Sequence, residues 1–368
     1  MRVATVRRPP MAAFLAGLTL VATLSMVKVD RLTTFTAETV IAAPWGSQAE
    51  AFGRGKGPDG REFGPRSFVV DQDGHILVAD TFNARVKEYD GRGRLLRQFA
   101  VGEGLSRKPF IEDLAITPAG HIYVADSANG VVLKYGRDGR HLATLDPRPD
   151  LRRGDTWRIE ALAAGPADGL YVLGLVLAVD GYVGSVRLFS ASGALRAVTT
   201  EVSLDVTGEP RKNRAAAVDR LISGFAPVEA SRLVLLAAGD TPFQRSLFVV
   251  SGNGGQAQRW LYESAVYIED AALLGADSAG AVYLGANLTT TGGWVAKLDG
   301  DGRVLESIEA GAPEAARGGP AALFGARVDQ RGDLFLVRST ADRFTIVRLS
   351  SARHLGFRLR WRGASGRR

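Results

Sequence analysis

Residues Pro65 to Gly93 (PRSFVVDQDGHILVADTFNARVKEYDGRG) are followed by a second copy at Pro109 to Gly139 (PFIEDLAITPAGHIYVADSANGVVLKYGRDG), with Gly74 over Gly120 and Gly93 over Gly139, a shift of 46 residues at both points. Each copy breaks into runs of four or five β-prone residues, cut by Asp/Gly turns in which glycine supplies a positive φ. A repeat of that length built from strands is the pattern of propeller blades. Copy one predicts strands at Phe68 to Val70, Ile76 to Ala79, Val86 to Tyr89 and Leu95 to Phe99. Copy two predicts Leu114 to Ile116, Ile122 to Ala125, Val131 to Tyr135 and His141 to Leu145.

Four weaker copies follow, at Ile159 to Val198, Leu221 to Tyr262, Ile268 to Ile308 and Pro320 to Trp361. In the last, VDQRGDLFLV (Val328 to Val337) mirrors VDQDGHILVA (Val70 to Ala79) and sets the register. A lone four-stranded sheet cannot bury both faces, whereas six stacked around an axis bury them against each other and leave few open edges. The expected fold is an all-β, six-bladed propeller over residues 60–361, with 46% hydrophobic residues to fill its core. Two features stay open: whether Gln48 to Phe52 adds a closing edge strand, and whether Thr200 to Arg220 forms a loop or a short helix.

Ahead of the repeats, Met11 to Val27 (MAAFLAGLTLVATLSMV) is an uncharged apolar run behind Arg2, Arg7 and Arg8 and a basic segment 1–10. At 1.5 Å per residue a helix of that length spans about 25 Å, close to a bilayer core. Leu24-Ser25-Met26 makes a poor cleavage site, so a signal-anchor is expected in preference to a cleaved signal peptide, with the body on the extracytoplasmic side. Residues 28–59 then serve as a tether and possible closing strand. The chain has no cysteine, which excludes disulfides and thiolate metal sites. Net charge is +7. Much of the excess lies at the ends, in a closing run with Arg353, Arg358, Arg360 and Arg362 and a tail at 362–368. That balance favours anionic envelope material. Nucleic acid is disfavoured, since Trp361 is the one aromatic residue after Phe357 that could offer a stacking surface.

The first two copies resemble the NHL repeat. Pro65, Val70-Asp71, Asp73-Gly74, Ile76, Val78 to Thr81, Asn83, Arg85-Val86 and the Asp90 to Gly93 turn carry the likeness, as do Ile116, Gly120, Ile122, Val124 to Ser127, Asn129 and Gly139. It is good over residues 60–146 and degenerate beyond, where Gly174, Gly239, Gly285 and Arg338 fall near the place of the Asp. The resemblance implies a six-bladed propeller with a binding or scaffolding role; a minority of such proteins are enzymes.

Three sets of residues invite a chemical reading. His75 and His121 share one repeat position and His141 and His354 stand apart; no local zinc spacing links them. Asp80, Asn83, Asp126 and Asn129 have oxygens that suit Ca²⁺, but side chains of this kind after a strand usually bond nearby backbone N–H groups, and a structural blade-loop role is expected. Glu112, Glu160 and Glu269 open the innermost strands of copies two, three and five, with Arg66 at the matching place in copy one. If they converge on the mouth of the central channel, the three carboxylates make a candidate Ca²⁺ site, and a bound ion would act as a Lewis acid on an ester or lactone. Gluconolactonase- and paraoxonase-like propellers are similar in position. The chain contains neither a nucleophile elbow nor a Walker loop. The expected role is therefore a membrane-anchored module, with no cofactor required, binding an unknown protein or cell-envelope polymer. The alternative is a cation-dependent lactonase- or esterase-like hydrolase.

Overall fold

The computed structural model describes residues 35–56, 60, 62–148, 156–178, 181–200, 222–229, 232–251, 258–288, 292–311 and 325–351. They form six antiparallel four-stranded sheets and a two-stranded ribbon, Gly55–Lys56 with Glu62–Phe63. From inside outward, blade 1 is Phe68–Val70, Ile76–Asp80, Arg85–Tyr89 and Leu95–Ala100. Blade 2 is Ile111–Ile116, Ile122–Asp126, Val131–Tyr135 and His141–Leu145. Blade 3 is Thr156–Ala164, Leu170–Ala178, Gly181–Phe189 and Leu195–Thr200. Blade 4 is Ile222–Glu229, Arg232–Ala238, Gln244–Ser251 and Gln258–Glu263. Blade 5 is Ile268–Ala276, Val282–Leu288, Gly292–Leu298 and Val304–Gly311. Each first strand contacts the first strand of the next blade, and blade 6 returns to blade 1, so the ring is closed. The chain is a six-bladed β-propeller.

Blade 6 shows where the sequence reading needs correction. Three of its strands, Ala326–Val328, Leu334–Val337 and Arg343–Ser351, come from the end of the chain. The outermost is Phe35–Pro44, which lies inside the stretch read as a tether. It pairs antiparallel with Arg343–Ser351 from Phe35 opposite Ser351 to Pro44 opposite Arg343. Gln48 to Phe52 forms no edge strand; it follows the closing strand as a bend, joined by one bridge between Trp45 and Phe52. A loop or helix at Thr200 to Arg220 falls almost wholly outside the described residues, as do the apolar run Met11 to Val27 and the basic tail. Among the described residues no helix is long and apolar enough to cross a membrane.

The buried side chains fall into six clusters, each drawing on two adjacent blades, so the core of this ring is its seams. Blades 1 and 2 meet through Leu77, Val86, Leu114, Val124 and Leu133, among others. Blades 4 and 5 meet through Val234, Leu236, Leu247, Trp260, Val282 and Leu284. Each such side chain, fully buried, contributes about 1.5–3 kcal/mol. The turn glycines before the outer strands also serve the seams. Gly93 has φ +78°, and a Cβ there would lie 1.6 Å from the Val40 carbonyl oxygen of the closing strand. Its counterpart Gly302 lies under Trp260, on the outer strand of blade 4, with 2.4 Å from a Cβ to the ring. The repeated glycine therefore marks both a positive φ and close approach to the preceding blade.

Candidate functional site

The inner strands of blades 2 to 5 share one irregularity. Their register with the second strand slips between Ile111 and Asp113, between Ile159 and Ala161, between Ile222 and Gly224, and between Ile268 and Asp270. The extra residue of each bulge is Glu112, Glu160, Ser223 and Glu269. A bulge leaves one residue outside the ladder and re-aims its side chain. The three glutamates thus hold equivalent positions, at the end of the ring where the inner strands begin.

The structure does not bring all three together. Arg66 forms an ion pair with Glu112 Oε1, with its Nε at 3.1 Å. Arg158 forms another with Glu160. Burial pushes the Glu160 carboxyl above its ordinary range; Arg158 pulls it down, Glu112 pushes it up again, and Arg66 opposes. Arg66, Glu112, Arg158 and Glu160 therefore share one sector of the mouth, over blades 1 to 3. Glu269 stands apart on blade 5, exposed and with no hydrogen bond or ion pair to a described residue. A divalent cation held by Glu112 and Glu160 would have to displace two guanidinium groups.

Below the rim, Asp113 ties four blades. Its Oδ1 accepts hydrogen bonds from the Ser67 hydroxyl of blade 1 and, at 3.1 Å, from Arg327 Nη2 of blade 6. Its Oδ2 accepts the Leu162 N–H of blade 3 at 2.7 Å. Every oxygen of this buried carboxylate is partnered, which makes it a brace rather than a base. The equivalent residue of blade 5 is Asp270, half-buried and bonded to its neighbour Ala271 N–H at 2.8 Å. Burial pushes its carboxyl up, against the opposing pull of the Ala271 N–H and Arg245.

The blade-loop acids engage protein groups. Asp80 Oδ1 accepts the Gly53 N–H at 2.7 Å, and its Oδ2 accepts Arg85 Nε at 2.7 Å and Asn83 Nδ2 at 2.9 Å. Asp126 Oδ1 accepts the backbone N–H of Phe110 at 3.0 Å and of Ala128 at 3.1 Å, while Asn129 donates to Asp126 Oδ2 and to Arg107 O. In both blades the pair holds the chain segment that leads toward an inner strand.

At the opposite end of the ring is a cluster that spacing did not reveal. Ligand atoms of Asp71, His75 and Glu88 lie within 4.8 Å of one another. Arg137, from the outer turn of blade 2, reaches among them: its Nη2 is 2.6 Å from Asp71 Oδ2, 2.7 Å from Glu88 Oε1 and 2.8 Å from His75 Nδ1. One guanidinium nitrogen thus takes the place a metal ion would need. Burial works against this charge, but the bonds and charges of Asp71 and Glu88 outweigh it and hold Arg137 above its ordinary value. His121 instead bonds to Asp168 of blade 3, and His141 Nε2 meets Thr144 Oγ1 at 3.1 Å. His354 lies outside the described residues. Arg137 sits in a Gly-Arg-Asp-Gly turn whose own sequence reads as exposed; only blade packing shows where it points.

The sequence matches no protein-family model and no curated protein. Solved structures do share the architecture. A member of the duf4221 family from Bacteroides vulgatus superposes with a TM-score of 0.52 at 11% identity, over 87% of this chain and 99% of that one. Virginiamycin B lyase from Staphylococcus aureus gives 0.49 at 9% identity over 87% and 100%. The PQQ-bound aldose sugar dehydrogenase from Streptomyces coelicolor gives 0.48 at 14% identity over 87% and 99%. At such identities the likeness concerns the fold alone, and the activities in those names belong to those proteins.

Proposed function

We propose that this NHL-type propeller is a membrane-anchored, extracytoplasmic binding module that presents its channel mouth to a protein or polymer of the cell envelope. The observation that carries this reading is the pairing of Phe35 with Ser351. Inner strands run away from the mouth, and alternate strands of a blade run antiparallel, so Ser351 and Phe35 both lie at the far end. The closing strand starts there and its partner strand ends there. A bilayer segment ending at Val27 is joined to Phe35 through residues 28–34, a reach of at most about 25 Å. The mouth is thus the end of the ring that neither Phe35 nor Ser351 occupies.

The mouth is furnished for contact rather than for chemistry. Two of its three glutamates are answered by arginines, and its buried aspartate Asp113 is fully bonded. The hydrolase reading requires those arginines to yield to an ion. It is tested by metal analysis of the full-length protein and by thermal melts with and without Ca²⁺; a stoichiometric ion and a melting shift lost in Glu112→Gln establish it. The module reading is tested in cells, with a photo-crosslinking amino acid at Ser223 on the mouth and at Asp73 on the far end. A reporter fused after Arg368 reads the side of the membrane. Crosslinks to an envelope component from Ser223 and an extracytoplasmic reporter are expected. A cytoplasmic reporter, or crosslinks from Asp73 only, overturns it.

A further inference from the structure

Glu269 differs from its two counterparts in what surrounds it. Glu112 and Glu160, at the same bulge, each face an arginine, whereas Glu269 has no partner among the described residues. Arg245, whose charge acts on Asp270 and Tyr267, donates to Gln244 O at 2.8 Å and Ile268 O at 2.9 Å, which turns its guanidinium onto backbone carbonyls. Two residues before Glu269 stands Tyr267, 45% exposed, and against it Phe243, 44% exposed, with ring centroids 6.3 Å apart and planes at 85°. Pro242 beside them is exposed too. These loops are fixed in place: the Ser264 N–H bonds to Phe243 O at 2.9 Å and the Ile268 N–H to Pro242 O at 3.1 Å.

We propose that the blade 4–5 sector of the mouth, Phe243, Tyr267 and Glu269, binds a peptide segment that presents lysine or arginine. This rests on the mouth being the binding face. A cation supplies to Glu269 the charge that Arg66 and Arg158 supply elsewhere on the rim. Its alkyl stem covers the exposed rings, and ring faces attract cations within about 6 Å. A purely apolar partner would strip water from Glu269 without replacing it, and an anion would be repelled. The overall charge of +7 repels cationic peptides, so capture of one has to come from local groups.

The probe is fluorescein-labelled tetralysine, titrated with full-length protein in detergent and followed by fluorescence polarisation, with fully acetylated tetralysine alongside. Wild type binds the first and not the second. Glu269→Gln weakens binding by about tenfold, the size of one good charge-assisted contact. Phe243→Ala with Tyr267→Ala weakens it by about three- to tenfold. Asp73→Asn, an equal loss of charge at the far end, leaves it unchanged. Glu269 is exposed, so melting curves of its variant should overlay those of wild type. Lack of binding by wild type, equal binding of acetylated peptide, or equal losses in Glu269→Gln and Asp73→Asn would each overturn the proposal. None of these outcomes bears on the crosslinking and topology results, so the module reading stands or falls separately.

Discussion

The seam between blades 6 and 1 and the seam between blades 4 and 5 solve one packing problem with different chemistry. The 4–5 seam is aliphatic and aromatic, with Leu236, Leu247, Trp260, Val282 and Leu284 buried together. The 6–1 seam has an apolar floor of Val40, Ile41, Phe52, Phe68, Ile76 and Phe344. Above that floor lies a polar clamp. Asp80 takes the Gly53 N–H, Asn83 donates to Gly46 O at 3.0 Å, and Arg85 donates to Gln48 O at 2.6 Å and Ala51 O at 2.8 Å. Lys87 bonds to Ala51 O and lies 4.3 Å from the centre of the Phe52 ring. Blades 4 and 5 are joined by a short stretch of chain, whereas the closing strand meets a partner from the other end of the sequence. The 4–5 seam has directional contacts too, Arg245 to Ile268 O, the Ile268 N–H to Pro242 O and Arg232 to Gly300 O, but its buried interior is apolar. Where the chain must find its own end, these directional bonds hold the bend at Gly46 to Gly53, which follows the closing strand, against blade 1.

Breaking each seam at its own kind of contact should separate the two solutions. Asp80→Ala leaves Arg85, Asn83 and the Gly53 N–H without their buried acceptor and should cost about 3–5 kcal/mol in urea unfolding. Hydrogen exchange should rise first in Phe35–Pro44. Leu236→Ala, in the 4–5 seam, should cost about 3 kcal/mol as a cavity, with exchange rising throughout blades 4 and 5 and the closing strand unaffected. If Asp80→Ala costs under about 1 kcal/mol, the clamp is ornamental and the apolar floor alone closes the ring. Gly93→Ala should cost about 2–3 kcal/mol, because its Cβ meets backbone at Val40 and its φ is left-handed. Gly302→Ala carries the same φ penalty but meets a side chain, Trp260, that can yield, so it should cost less. Equal costs would mean that the closing strand moves as freely as one tryptophan.

The same contrast explains what could be read before the structure. Asp90 and Asp299 announce their turns because each accepts two N–H groups, Arg92 and Arg94 in one case, Asp301 and Arg303 in the other, and the glycine that follows needs a positive φ. Such local constraints leave residues in fixed places, so six copies were legible, with strands close to those observed in blades 1 and 2. Phe35–Pro44 (FTAETVIAAP) has β-prone residues but no turn of its own to frame it, and its identity as a strand depends on Arg343–Ser351. In blade 3 packing takes the place of the Asp: Gly174 lies where Asp80 does, and Trp157 fills the space, 2.1 Å from where a Cβ would be. At the mouth, the equivalence of Glu112, Glu160 and Glu269 was legible from position within the repeat. Which of them would be neutralised was not, because Arg158 and Arg66 reach their partners through bulge geometry and the packing of neighbouring blades.

The clamp's own cost can be read by titration. Lys87 is fully buried, and its ammonium is pushed down to about 8, first by burial and then by Arg85, with Asp80 and Glu50 opposing. In the unfolded chain the same group stays protonated to about 10.4. Between those values the unfolded state binds more protons than the folded one, so stability rises with pH, the reverse of a lysine held by a strong ion pair. From pH 8 to pH 10 the wild type should gain about 2 kcal/mol over Lys87→Met, in paired urea titrations that cancel the remaining titrating groups. The gain should be largely complete near pH 10.5, before Tyr123 and Tyr283, pushed up by burial to about 12, ionise in the folded state. A flat difference would mean that Asp80 and Ala51 O compensate the buried charge in full. A difference that falls with pH would make Lys87 a stabilising ion-pair partner, and the 6–1 seam would then be held by net electrostatic attraction as well as by bond direction.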